Sequence, residues 1–289
     1  MEAIKMNKAK ILKDMICSGK TLVMPDAYDP LSAMLIEQMG FSAVQCSGFS
    51  IAIAVGGLAE PELSFEKNLA VTAEIVKAVG IPVMADGEDG FDDIVRTIRA
   101  YLKAGVAGIN IEDQVIGGAS SSACKVIDRE AAAAKIRKAR ETAVNEGTPD
   151  LLINARTDAL LSAESRAAGL KECILRCNMF FAAGADLAFV THVASIDEVR
   201  TLVREVAGPV SIAAGLLYNI NQFSIRELQD CGVARVSLPS IAIQTSIAAL
   251  RKTLKIIKDT GEFAELGNAG LLCCKEDLAR MMKKKSPGR

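Results

Sequence analysis

The chain has 289 residues, half of them apolar and 24% charged, a balance that provides for a buried core and argues against disorder. Its 34 Lys and Arg against 35 Asp and Glu leave a net charge of −1, which argues against nucleic acid or an anionic membrane as the main partner. A single His rules out a multi-His metal centre and makes Ser-His or Cys-His catalysis improbable. The eight Cys, at 17, 46, 124, 173, 177, 231, 273 and 274, form no paired CxxC set. They read as reduced thiols of a cytoplasmic protein. Residues 1–20 are Lys-rich without a continuous apolar stretch, so they resemble neither a signal peptide nor a membrane span.

Taken in chain order, eight short apolar runs each end in a polar residue. Leu22 to Met24 leads to Asp26, Ala43 to Gln45 to Ser47, Pro82 to Ala85 to Asp86, and Gly108 to Ile111 to Glu112. Leu151 to Ala155 leads to Arg156, Leu187 to Val190 to Thr191 and His192, and Val210 to Ala214 and Arg235 to Leu238 complete the set, the last leading to Ser240. Runs of this length suit strands of a parallel sheet buried on both faces. Helical periodicity fills the gaps, as in Ser64 to Ala78, Phe91 to Ala104, Arg129 to Glu146 and Ala168 to Ala182. Ser195-Ile-Asp-Glu198 has capping-box spacing, and Gly40, Gly80, Gly105, Gly184 and Gly232 stand where helix C-caps belong.

Eightfold strand-helix alternation points to a single (β/α)8 barrel of the TIM type, about 250 residues in its usual form. An open doubly wound sheet shares the pattern. Residues 261–289 exceed what eight units need; their helical pattern at Glu276 to Lys283 suits packing on a neighbouring subunit, and Lys283 to Lys285 reads as a solvated tail.

A parallel barrel collects its chemistry at the C-terminal strand ends. There the sequence places Asp26, Ser47, Asp86, Glu88, Glu112, Asp113, Arg156, Asp158 and His192. Acids after barrel strands often cap the next helix, but Asp86-Gly-Glu-Asp-Gly90 puts three carboxylates and two glycines directly after a buried run. Such crowding needs a cation. Oxygen ligands without His or Cys select a hard ion, Mg2+ first and Mn2+ as the alternative. Arg156 would then grip a substrate carboxylate through its two-pronged fork. His192 reads as a hydrogen-bonded rim residue, and Cys273 and Cys274 as packing.

These motifs resemble the isocitrate lyase/phosphoenolpyruvate mutase superfamily from about Met24 to Phe263. The likeness rests on Pro25-Asp-Ala-Tyr-Asp-Pro-Leu-Ser-Ala33, Cys46-Ser-Gly48, Met84-Ala-Asp-Gly-Glu-Asp-Gly-Phe91, Ile109-Asn-Ile-Glu-Asp-Gln114 and Ile153-Asn-Ala-Arg-Thr-Asp158. In the third, Glu88 stands where an Asp is usual and Phe91 where a Tyr is usual. The resemblance implies Mg2+ ligation by Asp86, with Glu88 and Glu112 direct or through water, and Glu60 near the metal. It implies substrate contacts from Tyr28, Ser47, Gly48, Asp86, Arg156 and Thr191, and catalytic roles for Glu112 and Arg156. It also implies a tetramer whose subunits exchange a C-terminal helix.

Two departures bear on the reaction. The lyases' gating motif, Lys-Arg/Lys-Cys-Gly-His, is replaced by Gly117-Gly-Ala-Ser-Ser-Ser-Ala-Cys-Lys125. This puts Ala119 at the catalytic Cys position and leaves Cys124 and Ser121 as candidates for the gate's role. The lyase Glu after the sixth strand is Thr191 here. The first expectation is therefore a Mg2+-dependent carbon–carbon lyase or decarboxylase acting on a small 2-oxo or 2-hydroxy dicarboxylate through an enolate-like species. The alternative is a phosphonomutase-like carbon–phosphorus enzyme, in which Ser120 to Ser122 would hold the migrating group. A non-catalytic carboxylate-binding barrel is the third reading.

Overall fold

A computed structural model of the chain describes residues 7–115 and 124–282. Ala119, Ser120, Ser121 and Ser122 of the candidate gate lie outside the described residues, as does the Lys283 to Lys285 tail.

The eight apolar runs are eight parallel strands closed into a barrel in sequence order: β1 (Leu22–Ala27), β2 (Val44–Cys46), β3 (Val83–Asp86), β4 (Gly108–Glu112), β5 (Leu152–Thr157), β6 (Leu187–Val190), β7 (Val210–Ala213) and β8 (Arg235–Leu238). Closure is made by β1 on β8, in the register Leu22↔Arg235 through Pro25↔Leu238. The open-sheet alternative is thereby set aside.

Local chemistry starts the helices where the sequence indicates. Asp29 caps Pro30–Gln38 in a reciprocal box with Ser32, and Pro30 fills the first turn, where a missing N–H costs nothing. Asp128 accepts from the N–H groups of Glu130 and Ala131 to open Arg129–Asn145. Three details differ from expectation. The third βα unit's helix begins at Ile94, capped by Asp93, because Phe91 and Asp92 take left-handed backbone. Gly40, Gly105, Gly184 and Gly232 have positive φ, whereas Gly80 does not; helix Phe65–Ala78 ends on an extended Val79, and the Gly80 N–H donates to Glu37. Ser195 caps Ile196–Glu205, but Glu198 turns away from the box to accept from the Ala194 N–H and to pair with Arg166.

The strands alternate between two environments. Val44 and Cys46 face outward into one apolar cluster and Val236 into another, so Gln45, Arg235 and Ser237 face the barrel interior. The interior is layered. Its floor is apolar: Met24, Met84, Leu152 and Leu187 meet Leu12 and Ile16 of the N-terminal helix Lys8–Ile16. That helix was not expected from the sequence, although Ala9, Leu12 and Ile16 have helical spacing and are the buried face. Above the floor the interior turns polar, with Gln45, Asn110, Asn154, Ser211, Arg235 and Ser237 all buried.

The chain divides into two compact units, the barrel ending at Ile241 and a helical unit beginning at Ala242. The second contains most of Ile241–Thr260, together with Ala264–Asn268 and Lys275–Met282. All eight Cys are free thiols. Among the described residues, no helix is long and apolar enough to cross a membrane.

Candidate active site at the C-terminal mouth of the barrel

Three carboxylates converge at the mouth. Asp86 ends β3, Glu88 follows two residues on, and Glu60 arrives from the short turn Glu60–Glu62; one oxygen of each lies within 4.8 Å of the others. The turn after β3 brings them together. Glu88 holds φ +48, a conformation L-residues adopt at a cost of order 1–3 kcal/mol when the surroundings impose it. The Glu112 N–H donates to the Glu88 carbonyl at 2.9 Å. Lys135 ties the same loop down by donating to the carbonyls of Asp89 at 2.6 Å and Glu112 at 3.1 Å.

The cluster closes over Gly48. Its N–H donates to Asp86 Oδ2 at 2.9 Å, and a Cβ built at Gly48 would stand 1.7 Å from Glu88 Oε1 and 3.4 Å from Glu60 Oε1. A side chain here would displace the Glu88 carboxylate from the cluster, so glycine lets the acids close over this backbone. Asp86 Oδ1 and Glu88 Oε1 are buried without a hydrogen-bond partner. Buried carboxylate oxygens without partners are costly, and a bound cation would satisfy them. The donor set contains oxygen only, so the residues fit a hard divalent cation.

Burial pushes Glu88 and Glu112 well above the usual carboxylate range, and neighbouring carboxylates push Glu88 further. Burial and then Asp86 lift Glu60 to about 7. Burial raises Asp86 too, against the Gly48 N–H and Arg156. Like charges packed this closely cannot all ionise without a cation.

Beside the cluster stands Arg156, at the end of β5. Its Nη1 pairs with Glu112 at 2.6 Å. Its Nε and Nη2 grip Asp158 at 2.9 and 3.1 Å. Burial works against its charge, but Asp158 and Glu112 outweigh that and hold it cationic. Thr191 Oγ1 donates to Asp158 at 2.7 Å, so Thr191 acts on the arginine through Asp158. The two-pronged edge of Arg156 is thereby already occupied by Asp158. Nη2 also reaches Gln114 Oε1 at 3.5 Å, so what the guanidinium can offer a ligand is its charge and the second N–H of Nη1.

The other expected residues fall into place around this core. The Ser47 hydroxyl accepts from the Ser50 N–H at 3.3 Å, capping helix Gly48–Gly56. Tyr28 packs against the apolar cluster behind β1 and β2, and its N–H donates to Ser32. The Cys124 thiol lies 4.0 Å from the Asp158 carbonyl, and burial followed by Asp158 raises it to about 11. Cys124 therefore borders the Arg156 side of the mouth as a protonated thiol. Its segment is pinned by an antiparallel bridge between Gln114 and Val126. Asp113, expected at the mouth, is turned away: it accepts from Arg176 at 3.0 Å and from the Asp158 N–H at 3.0 Å. His192 is a rim residue with φ +60, stacked on Tyr218 at 5.0 Å.

Sequence reasoning missed four residues that shape the site: Lys135, Arg176, Gln45 and Arg235. The signal for the last two was present, since a glutamine and an arginine interrupt runs that otherwise read as buried strand.

The family described as phosphoenolpyruvate phosphomutase matches residues 12–258, most of the chain. Among curated relatives, the 2,3-dimethylmalate lyase of Eubacterium barkeri is 32% identical over 70% of this chain and 70% of its own length. The chloroplastic carboxyvinyl-carboxyphosphonate phosphorylmutase of Arabidopsis thaliana is 32% identical over 83% of this chain and 71% of its own. Among solved structures, a phosphonopyruvate hydrolase complexed with oxalate and Mg2+ superposes with a TM-score of 0.82 at 24% identity, covering 96% of this chain and 95% of that one; at that identity the likeness concerns the fold. The matched span contains the barrel and every acid of the mouth, and the relatives are enzymes on both sides of the lyase–mutase division. The chain belongs to the isocitrate lyase/phosphoenolpyruvate mutase superfamily.

Proposed function

We propose that this protein is a divalent-cation-dependent lyase or decarboxylase that breaks a bond beside the carbonyl or hydroxyl carbon of a small dicarboxylate. The observation that carries the reading is the Glu60–Asp86–Glu88 cluster, with its orphaned buried oxygens, set beside a guanidinium that keeps one Nη1 N–H outside its bonds to Asp158, Gln114 and Glu112. Asp86, Glu88 and Glu60 would hold Mg2+, or Mn2+ in its place, with Glu112 beside them. When bound, the cation supplies Lewis-acid stabilisation of the negative charge that develops on oxygen as the bond breaks. Arg156 binds a substrate carboxylate through its charge and its remaining Nη1 N–H, while Asp158 and Thr191 hold its plane. The Gly48 N–H fixes Asp86. Cys124 borders the space where a proton must be delivered, and decarboxylation needs no more than a proton from water. The names of the curated relatives, a dimethylmalate lyase and a phosphorylmutase, support both a carbon acid and a phosphonate as substrate class.

The test is turnover. The protein, with Mg2+ and with chelator, is incubated with oxaloacetate, 2-methylisocitrate, isocitrate, 2,3-dimethylmalate and phosphonopyruvate and followed by proton and phosphorus NMR. Magnesium-dependent loss of a carbon acid is expected. Conversion of phosphonopyruvate alone would transfer the protein to the mutase reading, and binding without turnover of any component would favour a carboxylate-binding barrel.

The C-terminal unit is proposed to cover a second copy of the chain. Ile247, Leu250 and Leu254 form an exposed apolar stripe at helical spacing on Ile241–Thr260, and Phe263, Leu272 and Met282 are exposed in the same unit. A tetramer by light scattering that falls to smaller species in Leu250→Asp is the expected result; a monomeric native chain would refute it.

A further inference from the structure

Arg235 opens β8 and is fully buried. Its guanidinium donates to Gln45 Oε1, and to Ser211 Oγ at 3.1 Å; it lies 5.5 Å from the centre of the Phe189 ring. The Gln45 amide in turn donates to Ser237 Oγ at 2.8 Å. Because β2 and β8 flank β1 without pairing with each other, these contacts span the barrel interior. No carboxylate among the described residues pairs with this arginine directly, and its Nε has no hydrogen-bond partner. Burial lowers it to about 9, so it is still a cation at neutral pH.

A buried cation without an ion pair is costly unless a surrounding field offsets it. The field here comes from the mouth. Glu112 and Asp158 pair with Arg156, and the clustered Glu60, Asp86 and Glu88 feel its charge. Asp86 is the group that favours the Arg235 charge. Gln45, the acceptor for Arg235, lies two residues before Ser47 and three before Gly48, whose N–H holds Asp86.

We propose that Arg235 is an interior counter-charge that balances the mouth, weakening its hold on the cation so that a dianionic substrate can bind beside it. This rests on the cation site described above. A dication and Arg156 leave the five carboxylates, Asp158 included, still net negative on formal charges, an unfavourable site for a dianion. One further positive charge in the buried barrel interior acts on both ligands through a medium that screens it less than water does. Arg235 contacts neither and is a positioning residue acting through the field and through Gln45.

A charge role has a signature that loss of packing lacks. Removing one positive charge favours a cation and disfavours an anion, whereas a loosened barrel binds both less well. Mn2+ affinity is measured at pH 8 from the loss of its free EPR signal, and oxalate affinity by calorimetry on the Mn2+-saturated protein. Arg235→Met is expected to bind Mn2+ more tightly and oxalate more weakly, each by roughly threefold to thirtyfold. Arg235→Lys, which keeps the charge, is expected to stay within about threefold of the native protein for both. Ser211→Asp neutralises the guanidinium in place and is expected to reproduce the Met pattern, which keeps the test decisive if Arg235→Met does not fold. Both affinities falling together in the neutralised variants would overturn the proposal while leaving the cation site intact. A native chain whose Mn2+ binding is unaffected by Asp86→Ala would overturn the cation site, and this inference with it.

Discussion

The two ends of the barrel are built to opposite rules. At the floor, Leu12, Ile16, Met24, Met84, Leu152 and Leu187 close an apolar layer. The charge beside it is saturated, with Asp186 accepting from Arg140, from Lys13 at 2.9 Å and from the Ile153 N–H at 2.8 Å. At the mouth, acids outnumber bases, carboxylate oxygens lack partners, and Glu88, His192 and Ser240 hold left-handed backbone just past strand ends. Strain and unmet polar groups persist only where the rest of the fold supplies the stability to impose them. The comparison assigns stability to the floor and ligand binding to the mouth, as parallel barrels generally do.

Mutations should separate the two ends. The largest structural effect is expected at the floor: Leu12→Ala removes a fully buried side chain and should cost about 2–5 kcal/mol. That is a fall in Tm of roughly 4–20 °C for a domain this size, with Mn2+ affinity unchanged; altered metal binding would mean that the ends are coupled. At the mouth, Arg156→Lys should weaken oxalate binding about tenfold or more, because one ammonium cannot serve Glu112, Asp158 and a ligand together, with Tm moving little. Calorimetry on the variant checks this.

Acidity sharpens the contrast further. Glu60, Glu88 and Glu112 are raised in the folded protein, so the chelated native state holds protons that the unfolded chain has released. A raised group contributes stability below its unfolded value and loses that contribution as pH rises through the folded one. The metal-free protein should therefore lose stability from about pH 4.5 to above 7, while stabilisation by added Mg2+ grows over the same range, because the cation displaces those protons. Thermal melts with chelator and with Mg2+ at pH 5 and pH 8 read both trends. The smallest effect is expected for Cys124→Ala, which should change turnover less than about twofold if water delivers the proton. A hundredfold loss would make Cys124 the proton donor.

Much of the mouth was legible because strand periodicity fixes which residues reach it. Eight apolar runs placed Asp86, Glu112, Arg156 and Thr191 at strand ends, and the fold put them there. Orientation was less legible. Asp113 and Glu112 are adjacent, yet only one faces the ligand space, since the alternation of side chains along β4 sends Asp113 outward to Arg176. Long-range pairings were invisible for a related reason: the contact of Arg235 with Gln45 spans 190 residues, and no local pattern encodes it. The floor helix Lys8–Ile16 escaped notice because its many lysines mask an apolar face of only three residues.

The central claim is that the mouth is a cation site built on Asp86. Its most direct test is a Mn2+ titration of the chelated native protein and of Asp86→Ala, with circular dichroism confirming that both are folded. One ion bound per native chain, and at least a hundredfold weaker binding in the variant, is the expected result. Equal binding by the two proteins would contradict the account.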